Sequence, residues 1–317
     1  MTHAPRHHNC KRVYVLLFLT FALGISAGVR DARALETRGL QHLFDLTAAE
    51  NTPLSLPSDV AVAPDGRIYV VDGNNDRVVV YNTEGKFLST IGSKGTADGQ
   101  LSSPIGIDVD NKGDIYVADS GNYRLQVFNA AGKFIRQIPL QEKHVRIKPV
   151  DVAVDNAKQI LYVTGNTNHK VMRYSINGKY LGAWGHRGNN PGEFRYPATI
   201  TVSDEGLIYV VDVLNSRVQI FERNGNVLTV AGSWGVLPGQ LFRPKGVAVD
   251  AKGAIYVSDS YMGLIEVFDN TKQFSHVLGS DNTAHKFITP AGITLDRHGR
   301  IYVTEMLGNK VSVYKLK

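Results

Sequence analysis

A tyrosine set between isoleucine or leucine and valine recurs at Tyr69, Tyr116, Tyr162, Tyr209, Tyr256 and Tyr302, at spacings of 47, 46, 47, 47 and 46 residues. A period of that length, kept in phase six times, describes one supersecondary unit that must stack on its neighbours to bury its apolar faces. Each unit holds four short apolar runs, seen most clearly at 246–250, 254–259, 217–221 and 226–232. Runs this short are strands rather than helices, and Asp65-Gly66, Asn177-Gly178 and Asn224-Gly225 stand where hairpins turn. The Ile-Tyr-Val core does not alternate with polar residues, which suits a sheet covered on both faces. The expected fold is therefore all-β: a six-bladed β-propeller of four-stranded antiparallel blades.

The blades are expected to begin at Pro57, Ser103, Lys148, Tyr196, Arg243 and Thr289, and the sixth has only three strands before Lys317. Residues 40–46 (LQHLFDL) have the length and apolar content to supply the missing one, so the spacing predicts that they form the outermost strand of the last blade and close the ring. Three segments follow: 1–34, 35–56 as closing strand and linker, and 57–317 as the propeller.

After each core stands Asp-x-x-Asn-x-Arg-hydrophobic, as Asp72, Asn75, Arg77; Asp119, Asn122, Arg124; and Asp212, Asn215, Arg217. In this motif, over about residues 40–317, the chain resembles NHL-repeat propellers. That family includes RNA-binding modules of ubiquitin ligases, extracellular sensor domains of bacterial kinases and a metal-dependent lyase that releases amidated peptides, so the resemblance implies the fold and leaves the function open. The lyase uses histidine ligands with an arginine and a tyrosine. No matching histidine motif stands at the blade openings here, so those roles do not carry over.

Residues 1–12 carry Arg6, Lys11 and Arg12 without an acid, 13–29 are uncharged and apolar, and Ala32-Arg33-Ala34 follows. That pattern reads as a secretory signal peptide cut after Ala34, with an uncleaved membrane anchor as the alternative. The chain is then expected to be exported, periplasmic or extracellular, touching a membrane only if the segment is retained. The whole chain has 35 Lys and Arg against 29 Asp and Glu. Without residues 1–34 the count is 30 (35 less five) against 28 (29 less one), a net +2, which with export argues against nucleic acid as a partner. The only cysteine, Cys10, lies in the same segment, so the remainder has neither disulfide nor thiol nucleophile. A monomer is expected.

What recurs in most copies builds blades, and what departs is free to serve a ligand. By that rule Asp72, Arg77, Asp119, Arg124, Asp212 and Arg217 organise the loop between second and third strands, the aspartate accepting from backbone amides and the arginine as its partner. Leu101, Phe194, Leu241 and Phe287 plug seams between blades, and Trp184 and Trp234 are expected to pack there too, with a sugar-stacking platform as the alternative. Departures fall at Gly165 and Lys170 in blade three, Tyr261, Met262 and Leu264 in blade five, and Glu305 and Gly308 in blade six. These loops emerge on the same face as the connections between blades, which makes that face the expected binding surface.

The connections carry His144, Arg146, Arg187, Arg195, Arg243, Lys245 and Lys286; of these Arg146, Arg187, Arg195, Arg243 and Lys245, together with Tyr261, form the expected ligand-binding set. They read equally as a basic rim for an acidic glycan or protein patch and as a solvated edge balanced by Asp98, Glu142, Glu193 and Asp281. Two metal readings are kept. His144, His169 and His186 would suit Zn2+ if they converge, and Asp59 and Asp151, two residues after their opening prolines, would suit Ca2+ at the channel mouth. The favoured function is a non-catalytic binding or scaffold module for a protein or glycan partner through the loop face. Its competitor is a metal-dependent lyase or hydrolase of the peptidylglycine-lyase-like or lactonase-like type.

Overall fold

The computed structural model describes residues 35–280 and 282–317. The leader and anchor readings of 1–34, and Asp281, lie outside them. Six four-stranded antiparallel blades open at Pro57, Pro104, Pro149, Pro197, Pro244 and Pro290, one residue after the expected starts in five of the six. Proline suits an innermost strand's first residue, where no ladder hydrogen bond is lost. The repeated tyrosines lie on the second strands, almost wholly buried.

The hydrophobic core is divided among six clusters, and each lies between two adjacent sheets rather than within one. Tyr69, Val71 and Val80 of blade one meet Ile107, Ile115 and Phe128 of blade two, for example. This is why the second strands read Ile-Tyr-Val without alternation: both faces are seams. Leu101, Phe194, Leu241 and Phe287 are buried in four of these clusters.

Leu40–Leu46 pairs antiparallel with Lys310–Leu316, from Leu40 opposite Leu316 to Leu46 opposite Val311, and completes the sixth blade. Thr37–Arg38, just before it, runs parallel to Phe274–Ser280 of blade five, so one short segment ties two blades together. Between closing strand and blade one, 52–56 is no plain linker, since Ala48–Ala49 pairs with Thr52–Pro53 in a small hairpin.

Candidate functional site

The loop between second and third strands ends on the same backbone turn in every blade. Its last residue has a left-handed backbone: Asp76, Tyr123, His169, Ser216, Gly263 and Asn309, with φ between 51° and 66°. In blade one Asp72 Oδ1 accepts from Ser55 N (2.7 Å) and Oδ2 from Arg77 Nε (2.8 Å). Asp119 and Asp212 do the same with Ser102 N and Arg124, and with Arg195 N and Arg217. Arg124 reaches on to the carbonyls of Ala97 and Gln100, and Arg217 to those of Asn189, Asn190 and Glu193. The loop is thereby bound to the connection that enters the same blade, and the two form one rigid surface.

Blade six keeps this scheme with another acid, and blade three replaces it with an ion pair. Glu305 accepts from Ile288 N (2.6 Å) and Ser312 Oγ (2.6 Å) in blade six. In blade three, which has Gly165, the cation Lys170 turns to Glu142 of the preceding connection.

Blade five departs further. Leu264 stands where the arginine would be, and Asp259 draws four backbone amides instead, those of Tyr261, Met262, Phe242 and Arg243. Glu266 replaces the glutamine that in blades two and four accepts from Gly99 N or Gly192 N and donates to a neighbouring carbonyl and aspartate. It keeps the first bond, to Gly239 N (3.0 Å). Burial, with Asp259 adding repulsion, pushes its pKa up to about 8, so the neutral acid stands in for the amide. Its proton contributes stability in full below about 4.5, and the contribution is lost as pH rises through 8. Glu266→Gln is expected to raise the thermal midpoint by an amount that grows between pH 5 and 8; a constant difference in melting scans across that range would refute the assignment.

The expected ligand-binding residues share the loop face but fall into separate groups. Arg146 lies 4.2 Å over the Tyr123 ring with Lys148 close by, beside an open pocket of about 520 Å³ that also includes Gln137 and Gln141. Arg187 and Arg195 lie around His169, and Arg243 lies beside Lys245, whose half-buried amine is held below its usual pKa by burial and by that neighbour. Among the described residues none of Arg146, Arg187, Arg195, Arg243 and Lys245 has a carboxylate within 4 Å. Tyr261 is exposed and stacks on Phe242, ring centres 4.3 Å apart.

The three histidines do not form a ligand set. No group of three or more His, Cys, Asp or Glu able to hold a metal occurs among the described residues. His144 is exposed on its connection and His186 faces Glu193 (3.2 Å). His169 occupies a scaffold position: its Nδ1 accepts from Tyr196 N (3.3 Å), as Asp76 accepts from Ser103 N and Asn309 from Leu56 N. Burial and the nearby arginines lower its pKa, in keeping with a neutral ring.

Asp59 and Asp151 do meet, and Asp108, two residues beyond Gly106, joins them in the channel. Gly106 and Gly292 leave the room: a Cβ on either would fall about 2 Å from Asp151 Oδ1 or Asp59 Oδ1, at 2.1 and 2.2 Å. Each carboxylate also holds a neighbouring blade. Asp59 accepts from Ile107 N (3.0 Å), Asp108 from Val154 N (2.8 Å) and Asp151 from Ile200 N (2.9 Å). Burial pushes Asp59 up to about 7 and Asp108 up to about 6; Asp151 is raised well above the usual range by burial and by Asp59. The Asp59 charge disfavours ionisation of Asp151 in this buried place. The space they line is about 50 Å³, room for a few water molecules and well below the size of a small-molecule site.

The tryptophans part company. Trp184 packs on Tyr162 and Phe221 in a seam, whereas Trp234 stands out on the loop face, because it holds the outward position that Lys94 and Arg187 hold in their connections, each bridging the seam residue of its own.

The NHL-repeat family model matches residues 54–81, 101–128 and 194–221, which are the copies with the full Asp-x-x-Asn-x-Arg motif. The chain is a six-bladed propeller with three NHL repeats. No curated protein sequence matches it. Solved structures similar to this NHL propeller include a streptogramin B lyase (TM-score 0.64, 14% identity, 86% of this chain and 97% of that one). They also include a gluconolactonase from Xanthomonas campestris (0.64, 17%, 88% and 89%) and a protein of unknown function from Bacteroides thetaiotaomicron (0.66, 17%, 89% and 76%). At such identities the likeness is one of fold.

Proposed function

We propose that this NHL propeller is an exported binding module that holds a protein or glycan partner on its loop face. The observation that carries the reading is the unpaired cations there. Arg187, Arg195 and Arg243 stand on connections whose backbones are pinned by Asp212 and Asp259, and none of the three has a carboxylate partner among the described residues. Such a surface favours carboxylate or other anionic groups and steers their approach. The channel supports the same reading, since its carboxylates are occupied in joining inner strands. The apolar run at 13–29 supports export.

The test compares the protein with Arg195→Glu and Arg243→Glu together, in glycan-array binding and in cross-linking to neighbouring proteins. Loss of capture with a midpoint within about 2 °C of the parent is expected, because exposed substitutions cost little stability. Unchanged capture by the folded double variant would eliminate the face.

A further inference from the structure

The connection from blade four to blade five repeats the backbone of the connection from blade one to blade two. Leu101 N donates to Ser93 O and Gly95 N to Leu101 O; Leu241 N donates to Ser233 O and Gly235 N to Leu241 O. Ala97 N and Leu237 N are each capped by the Oε1 of the glutamine three residues on, both at 3.1 Å, and Gly95 and Gly235 share a φ of 153°. The side chains on this common frame differ. Lys94, Thr96, Ala97 and Asp98 stand on the first, Trp234, Val236, Leu237 and Pro238 on the second. The loop therefore folds with polar residues at these positions, and its own stability does not require an indole or aliphatic chains.

Those apolar residues face solvent: Trp234 is 72% exposed, Leu237 64% and Val236 55%, and Tyr261 in the adjoining loop is 67% exposed. Phe242 lies between Trp234 and Tyr261, its ring centre 6.3 Å from one and 4.3 Å from the other. Large exposed apolar groups gathered in one place mark an interaction site. The backbone beneath is fixed by Asp259 and Glu266, so little ordering cost attends binding.

We propose that Trp234, Val236, Leu237, Phe242 and Tyr261, bordered by Arg243, form a docking site for an apolar, acidic peptide segment of a partner protein. This rests on the loop-face reading and narrows it. Residues 224–242 contain no charged side chain, so nothing in that stretch repels an acid, and Arg243 follows at once without an ion-pair partner among the described residues. A sugar needs several polar groups beside the rings to meet its hydroxyls; most of the exposed surface beside them is valine, leucine and proline. Aromatic and aliphatic side chains of a peptide fill such a surface, and a carboxylate next to them meets the guanidinium.

The test is selection of a phage-displayed random peptide library on the purified protein, followed by fluorescence polarisation with the enriched peptide. The comparison variant carries blade-one side chains on the blade-five frame: Trp234→Lys, Val236→Thr and Leu237→Ala. Expected are peptides joining Leu, Phe or Trp to Asp or Glu, at least about tenfold weaker on the variant, whose melting is unchanged. Arg243→Glu should weaken the same peptides. No such enrichment, or equal binding to the variant, overturns the proposal. So does variant-sensitive binding of polygalacturonate, which would make the ligand a glycan, or a concentration-dependent dimer in sedimentation that the variant abolishes. If the arginine variants lose capture while the blade-five variant keeps it, the loop-face reading stands and this one falls.

Discussion

Deletion of residues 35–46 is expected to lower the thermal midpoint by roughly 10–20 °C. The deleted strand carries Leu46, buried in the seam with blade one, Phe44 packed against that seam, and Leu40 packed against the seam with blade five. Burial of such side chains is worth about 1.5–3 kcal/mol each. The sum is of order 5 kcal/mol, and about 2–4 °C follows each kcal/mol in a domain of this size. The loss also uncovers the edge of Lys310–Leu316, so the deleted protein should aggregate. Fusing 35–46 through a short linker after Lys317 separates closure from mere shortening: it should restore most of the midpoint in differential scanning calorimetry. A deletion variant as stable as the parent would show that the ring holds without its closing strand.

The second large effect lies in the channel. Asp151→Ala leaves the amides of Val152 and Ile200 without their acceptor in a buried place. At about 1–3 kcal/mol for each, the midpoint should fall by about 10 °C. The raised pKa of Asp59 adds a pH signature. Asp59 releases its proton near 7 in the fold and near 3.8 when free, so its contribution is whole below about 4 and lost as pH rises through 7. Relative to Asp59→Asn, the parent should therefore lose several degrees between pH 5 and 8. Parallel melting curves of the two proteins would rule out the raised pKa of Asp59, and an unchanged midpoint for Asp151→Ala would remove the stapling role.

The ring could be read from the residues because its determinants are local and periodic. The tyrosine spacing sets the blade number, the continuous apolar cores tell of two covered faces, and 40–46 declares itself by being the one strand-like run left over. The candidate site was less legible. The topology places Arg146, Arg195 and Tyr261 on one face, but which side chains meet depends on where loops turn. His169 looks like a metal candidate by residue type, yet it sits where Asp76 and Asn309 sit in their blades, a correspondence visible only once the left-handed turn residue is aligned. Asp108 was missed because it lies four residues after its proline while Asp59 and Asp151 lie two after theirs. The space over Gly106 that lets the carboxylates meet is a three-dimensional fact. Trp234 was expected in a seam; comparing 93–101 with 233–241 by sequence alone would have flagged its apolar neighbours, though not their exposure.

Closure of the sixth blade joins Leu40 to Leu316, residues 276 positions apart (316 less 40). A ribosome makes the first of these long before the last, so blades one to five can stack on the nascent chain while the seam between six and one has only one wall. Until the final residues emerge, the apolar edge of blade one stays open and must be shielded or kept unfolded. The chain thus carries a built-in delay between synthesis and completion.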